Sequence, residues 1–95
     1  MEYGQPVELE KIDVTRGIRR YYRLWLRPDL FAEVCLIRQW GRIGQAGGHA
    51  RVEPFEDVGT ARAKLERLVA AKRRRGYQAT GICQITEAVT GIDEA

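Results

Sequence analysis

Two stretches of alternating side chains, separated by a short break, do most to limit what this chain can fold into. Tyr22, Leu24 and Leu26 alternate with Tyr21, Arg23, Trp25 and Arg27. Further on, Ala32, Val34, Leu36, Arg38 and Trp40 alternate with Phe31, Glu33, Cys35, Ile37 and Gln39. Strand side chains point to opposite faces with period two, so Ile18 to Arg27 and Phe31 to Trp40 read as half-buried antiparallel strands. Arg27-Pro28-Asp29-Leu30 supplies the turn chemistry of a hairpin. Upstream, Val7 and Leu9 alternate and Ile12 and Val14 resume on the other phase. That predicts an edge strand with an irregularity, followed by a turn at Arg16-Gly17. Downstream, Gly41, Gly44, Gly47 and Gly48 surround Arg42, Ile43, Gln45 and Ala46, a stretch able to take positive φ and close backbone approach. His49 to Phe55 is expected to return as the next strand.

A different period begins at Asp57. Val58, Ala61, Leu65, Leu68, Val69 and Lys72 follow helical spacing as far as Gly76, a good C-terminal stop, and Asp57 is placed to accept amides of the first turn. One apolar stripe is enough to lie on one face of a sheet. Residues 77–86, with Ile82 and Ile85, offer a last strand, and residues 90–95 read as a frayed acidic end. The expected fold is α+β: a small antiparallel sheet with one long helix across one face, a single domain over residues 1–95 with its core at about 7–86. At 95 residues a second domain does not fit.

Negative evidence narrows the function. No apolar run approaches the roughly 18 residues of a membrane span, and Met1-Glu2-Tyr3-Gly4-Gln5-Pro6 lacks the character of a secretory signal, so a cytoplasmic monomer is expected. Cys35 and Cys83 lie in separate apolar patterns with no metal-ligand spacing; they read as buried thiols, and neither metal nor cofactor is expected. An enzyme is disfavoured, because His49 is the only histidine and no paired carboxylates fall on one expected face.

Charge is the positive evidence. Residues 1–13 and 81–95 are each acidic by three charges, whereas residues 14–80 hold fifteen bases against six acids, a surplus of nine. Such a field attracts polyanions, nucleic acid above all. Arginine outnumbers lysine thirteen to three, and its planar fork suits phosphates and base edges. On the face opposite the apolar stripe, Arg73, Arg74 and Arg75 crowd the last turn of the helix. There they complement the helix dipole or bind phosphate, and the pattern alone does not choose between these.

Trp40-Gly41-Arg42-Ile43-Gly44 concentrates the chemistry. A tryptophan at a strand end with an arginine two residues on sets an aromatic plate beside a guanidinium. Stacking is worth about 1–3 kcal/mol per base at single-stranded sites. The alternative is a core tryptophan ending a strand beside a solvated arginine.

The stretch from Tyr21 to Tyr77 resembles a WGR domain, the module named for its Trp-Gly-Arg motif and found in poly(ADP-ribose) polymerases and many bacterial proteins. The resemblance rests on Tyr21-Tyr22, the Asp29-Leu30-Phe31 turn, Trp40-Gly41-Arg42-Ile43-Gly44, Gly47 and Gly48, the strand into Phe55, and the Lys72-Arg73-Arg74-Arg75-Gly76-Tyr77 ending of the helix. Ala32 departs from it, standing where bacterial relatives often have glycine. The resemblance implies DNA contact near a break, with the tryptophan against the terminal nucleotide and the arginine near the backbone or neighbouring domains. It assigns those roles to Trp40 and Arg42. The candidate nucleic-acid contacts are thus Trp40, Gly41, Arg42 and Arg38 along the strand, and Lys72, Arg73, Arg74, Arg75 and Tyr77 at the helix end. DNA ends or nicks are the expected ligand and a DNA repair or ligation protein a candidate partner. The rival is a protein-interaction module using the same edge.

Overall fold

The computed structural model describes residues 3–80. Strands β1 (Val7–Asp13), β2 (Ile18–Pro28), β3 (Val34–Arg42) and β4 (His49–Phe55) precede helix α1 (Val58–Arg74) and a short β5 (Gln78–Thr80). They form one antiparallel sheet in the order β4-β3-β2-β1-β5. Because β4 and β5 lie at opposite edges, α1 is the segment that carries the chain across.

The hairpin forms in the phase its alternation dictates. Tyr22 pairs with Trp40, Leu24 with Arg38 and Leu26 with Leu36, while Leu9 joins the same face opposite Tyr22. Leu9, Leu24, Val34 and Leu36 are fully buried there, and α1 seats Ala61 and Leu65 on them. Burying such a side chain is worth about 1.5–3 kcal/mol, so this aliphatic layer is what fixes the helix on the sheet.

Both ends of α1 are closed by their own residues. The Asp57 carboxylate accepts the Thr60 amide at 2.8 Å and the Thr60 hydroxyl at 3.0 Å. At the other end Gly76 takes φ +101°, its amide donates to the Arg73 carbonyl at 3.0 Å, and the Tyr77 amide donates to the Lys72 carbonyl at 3.1 Å. These are the paired bonds of a Schellman cap, and they turn the chain so that Tyr77 enters the core.

Two expectations are corrected. β1 is not an edge strand, because Glu8, Leu9 and Glu10 pair with Thr80, Ala79 and Gln78 of β5. Nor is it irregular: its register with β2 runs unbroken from Val7 opposite Leu24 to Asp13 opposite Ile18. The change of apolar phase leaves Ile12 exposed on the open face of the sheet instead of forcing a bulge. Secondly, β3 begins at Val34, not Phe31. The Asp29 carboxylate accepts the Phe31 amide at 3.1 Å, and this local turn holds residues 29–33 out of the ladder. Leu30 and Phe31 are left 92% and 95% exposed.

Cys35 is buried, as its strand pattern implied; burial, and then the nearby Asp29 carboxylate, push its thiol pKa up. Of the last strand expected over 77–86, Gln78–Thr80 is seen. Ile82, Cys83, Ile85 and the acidic end at 90–95 lie outside the described residues. Among the described residues no helix is long and apolar enough to cross a membrane.

Candidate nucleic-acid interface

Register builds the site. Tyr22 on β2, Trp40 on β3 and His49 on β4 stand side by side on the helix-facing surface. Their rings form a stack, Tyr22 and Trp40 being 5.6 Å apart at 13° and Trp40 and His49 5.6 Å apart at 24°. Trp40 therefore has a neighbour towards each flanking strand, and the outer surface of the stack belongs to His49, which is exposed. At the inner end Tyr22 meets Tyr77 edge-on at 6.4 Å. The Lys72 ammonium sits 4.4 Å from the centre of the Tyr22 ring and 5.5 Å from that of Tyr77. The helix cap thus fixes two site residues at once, since its closing bond joins Lys72 to Tyr77.

Two glycines let the sheet open at this point. A Cβ on Gly48 would lie 2.5 Å from the Tyr21 hydroxyl and 2.6 Å from the Trp40 carbonyl oxygen, and one on Gly41 would lie 3.1 Å from Gly48 Cα. Only glycine allows these backbones to approach so closely beside Tyr21. Beyond them the loop turns through Gly44 and Gly47 at positive φ.

Cations gather around the stack. Lys11, Arg20 and Arg42 occupy one cross-strand row on the same face, each directly opposite the next. Like charges in that arrangement destabilise a sheet. Lys72 shares their field: its pKa is lowered first by burial and then by Arg75, Arg38 and Arg20. Among the described residues, Lys11, Arg20, Arg42, Lys72, Arg73, Arg74 and Arg75 have no ion-pair partner, while the salt bridges fall to Arg16, Arg23, Arg38 and Lys64.

Stack, loop and cations enclose a cavity of ≈ 440 Å³, which brings together five of the nine sequence candidates: Trp40, Gly41, Arg42, Lys72 and Tyr77. Arg73, Arg74 and Arg75 are exposed at the helix end beside it and do not line it. Arg38 lies elsewhere, half-buried in the layer between sheet and helix. It donates to the Tyr22 hydroxyl at 3.4 Å and reaches Glu53 at 3.9 Å, while Glu53 also accepts from Lys64 at 2.7 Å. Sequence reasoning missed Arg20, Tyr22 and His49 as cavity residues.

Residues 5–83 match the family model of the WGR domain. The chain belongs to the WGR domain family. This WGR domain is 40% identical over 77 residues to the uncharacterized protein y4dW of Sinorhizobium fredii, covering 79% of this chain and 37% of that protein. It is 29% identical over 73 residues to the poly(ADP-ribose) polymerase of Drosophila melanogaster, covering 76% of this chain and 7% of the polymerase. The WGR domain thus spans only a part of either relative. No solved structure matches it.

Proposed function

We propose that this WGR domain is a non-enzymatic module that binds DNA at ends, nicks or other points where a nucleotide lacks a stacking neighbour. The observation that carries this reading is the conjunction, in one cavity, of an aromatic stack and cations that have no carboxylate partner among the described residues. A row of like charges destabilises the free protein and is relieved by a polyanion, so Arg20 and Arg42 are suited to phosphate. The cavity volume lies within the about 300–1,000 Å³ typical of small-ligand pockets, which suits a nucleotide. A base inside a duplex is already stacked on both sides, whereas a terminal or unpaired base is free to continue the Tyr22, Trp40, His49 stack. In this arrangement His49 offers the ring face and Trp40 its rim, with Trp40 holding His49 in place. Lys72, Arg73, Arg74 and Arg75 extend the cationic surface along the adjoining backbone. Membership of a family shared with a poly(ADP-ribose) polymerase supports a role on nucleic acid.

The test is a competition titration followed by fluorescence anisotropy. A nicked or blunt-ended duplex is expected to outcompete a closed circle of equal length. With three to five phosphates neutralised, log K against log salt should slope at about −3 to −4.5. His49→Ala and Trp40→Ala should each weaken end binding by about 1–3 kcal/mol. Equal competition by the circle, or a folded Trp40→Ala protein that binds ends as tightly as the parent, refutes end recognition.

A further inference from the structure

The other end of the sheet has the opposite chemistry. β2 leaves the cationic cavity at Arg20 and ends at Pro28, and β4 leaves it at His49 and ends at Phe55, so residues 29–33 share a tip with residues 54–57. This tip carries Asp29, Glu33, Glu56 and Asp57, four of the six acids within residues 14–80, with Arg27 nearby. It also carries the two most exposed large apolar side chains of the described residues, Leu30 and Phe31. Beside them is a shallow cavity of ≈ 420 Å³ lined by Asp29, Phe31, Ala32, Pro54, Phe55 and Glu56.

We infer that this tip is a second binding surface, which docks a protein segment carrying an apolar side chain flanked by lysine or arginine. A phenylalanine and a leucine adjacent in sequence and both almost wholly in water are unfavourable in isolation, and an aromatic group beside an apolar dent is the usual anchor of a protein contact. The Asp29 bond to the Phe31 amide already orders the turn, so docking loses little backbone entropy there. Charge selects the occupant. Nucleic acid and anionic lipid are repelled by the carboxylates. A second copy docked about a two-fold axis would set Asp29, Glu33 and Glu56 against themselves. A basic, apolar segment satisfies both features. The tip does not depend on the DNA-binding reading, because the two surfaces share no residue.

The experiment selects phage-displayed random peptides on the full chain, with Phe31→Ser protein as the counter-selection. Enriched peptides should pair an aliphatic or aromatic residue with lysine or arginine. As synthetic peptides they should bind at least tenfold more weakly to Phe31→Ser and to Glu33→Lys/Glu56→Lys, both of which should melt with the parent because these side chains are exposed. Saturating short duplex should leave peptide binding unchanged. No enrichment, peptides without basic residues, displacement by the duplex, or equal binding to Phe31→Ser each overturns the inference. So does a dimer in sedimentation velocity that Phe31→Ser dissociates, which would make the occupant a second copy.

Discussion

Replacing Gly48 by alanine asks whether the mouth of the cavity is built by backbone contact or only by the freedom of a glycine loop. The added methyl would sit 2.5 Å from the Tyr21 hydroxyl and 2.6 Å from the Trp40 carbonyl oxygen. The hydroxyl is the far end of a side chain and can swing away. The carbonyl belongs to β3 at the point where Trp40 pairs with His49, and it moves only if the two strands part. Overpacking of this kind costs about 1–3 kcal/mol, and a backbone obstacle places Gly48→Ala in the upper half of that range. For a domain of this size each kcal/mol shifts Tm by about 4–8 °C, so thermal unfolding should fall by roughly 10–20 °C. Gly47→Ala supplies the comparison. Gly47 has φ +82° but open space around its Cβ position, so alanine there meets only the left-handed backbone penalty of about 1–2 kcal/mol. Adding Tyr21→Phe to Gly48→Ala should recover part of the loss, never all of it. If Gly48→Ala melts with or above Gly47→Ala, the close approach of the strands is not what requires glycine, and the account of the mouth is wrong.

Two further outcomes follow from the charged groups. Lys72→Met keeps the stem over Tyr22 and removes a charge whose folded pKa lies below its ordinary 10.5. The unfolded chain binds more protons just below that value, stability rises with pH there, and the charge opposes folding at neutral pH. The variant should therefore melt no lower than the parent at pH 7 while the salt slope of DNA binding becomes shallower by about 1; a lower melting point or an unchanged slope counts against the assignment. Glu53 is held below its ordinary 4.5, chiefly by the hydrogen bond from Lys64 and then by the charges of Lys64, Arg38 and Arg51. Its contribution is present above 4.5 and lost as pH falls through the lower folded value. Glu53→Gln should lower stability by about 1–2 kcal/mol at pH 7, with the gap to the parent closing in acid; a gap that persists there would falsify the ionic origin.

What the sequence reveals here follows the range of the interactions. The two phases of the hairpin, the Asp57 cap and the Gly76 stop are local, and each is legible within a few residues. The place of β1 is not, because its second partner, β5, lies some seventy positions along the chain and nothing in Glu8 or Glu10 announces Thr80 or Gln78. Arg38 was readable: it shares the phase of Leu36 and Trp40, so a phase that buries Leu36 also turns Arg38 towards the helix. Its charge drew attention to phosphate when its position pointed to the core. His49 lay beyond pattern reading, since only the register across the glycine loop brings it against Trp40. The same register explains why a tryptophan expected to offer an open face is flanked on both sides.

The pairing of β1 with β5 sets the first and last strands of the described fold next to each other at one edge, with Glu8 directly across from Thr80. Strands so joined let a longer polypeptide enter and leave the domain at nearly the same place, a geometry that tolerates insertion between other modules without stretching either connection. The β1–β5 ladder then serves as the clasp of a cassette. Chain joined to Val7 and to Thr80 meets the sheet at the end where β2 runs on towards Pro28, so the glycine-lined mouth lies at the end away from both connections.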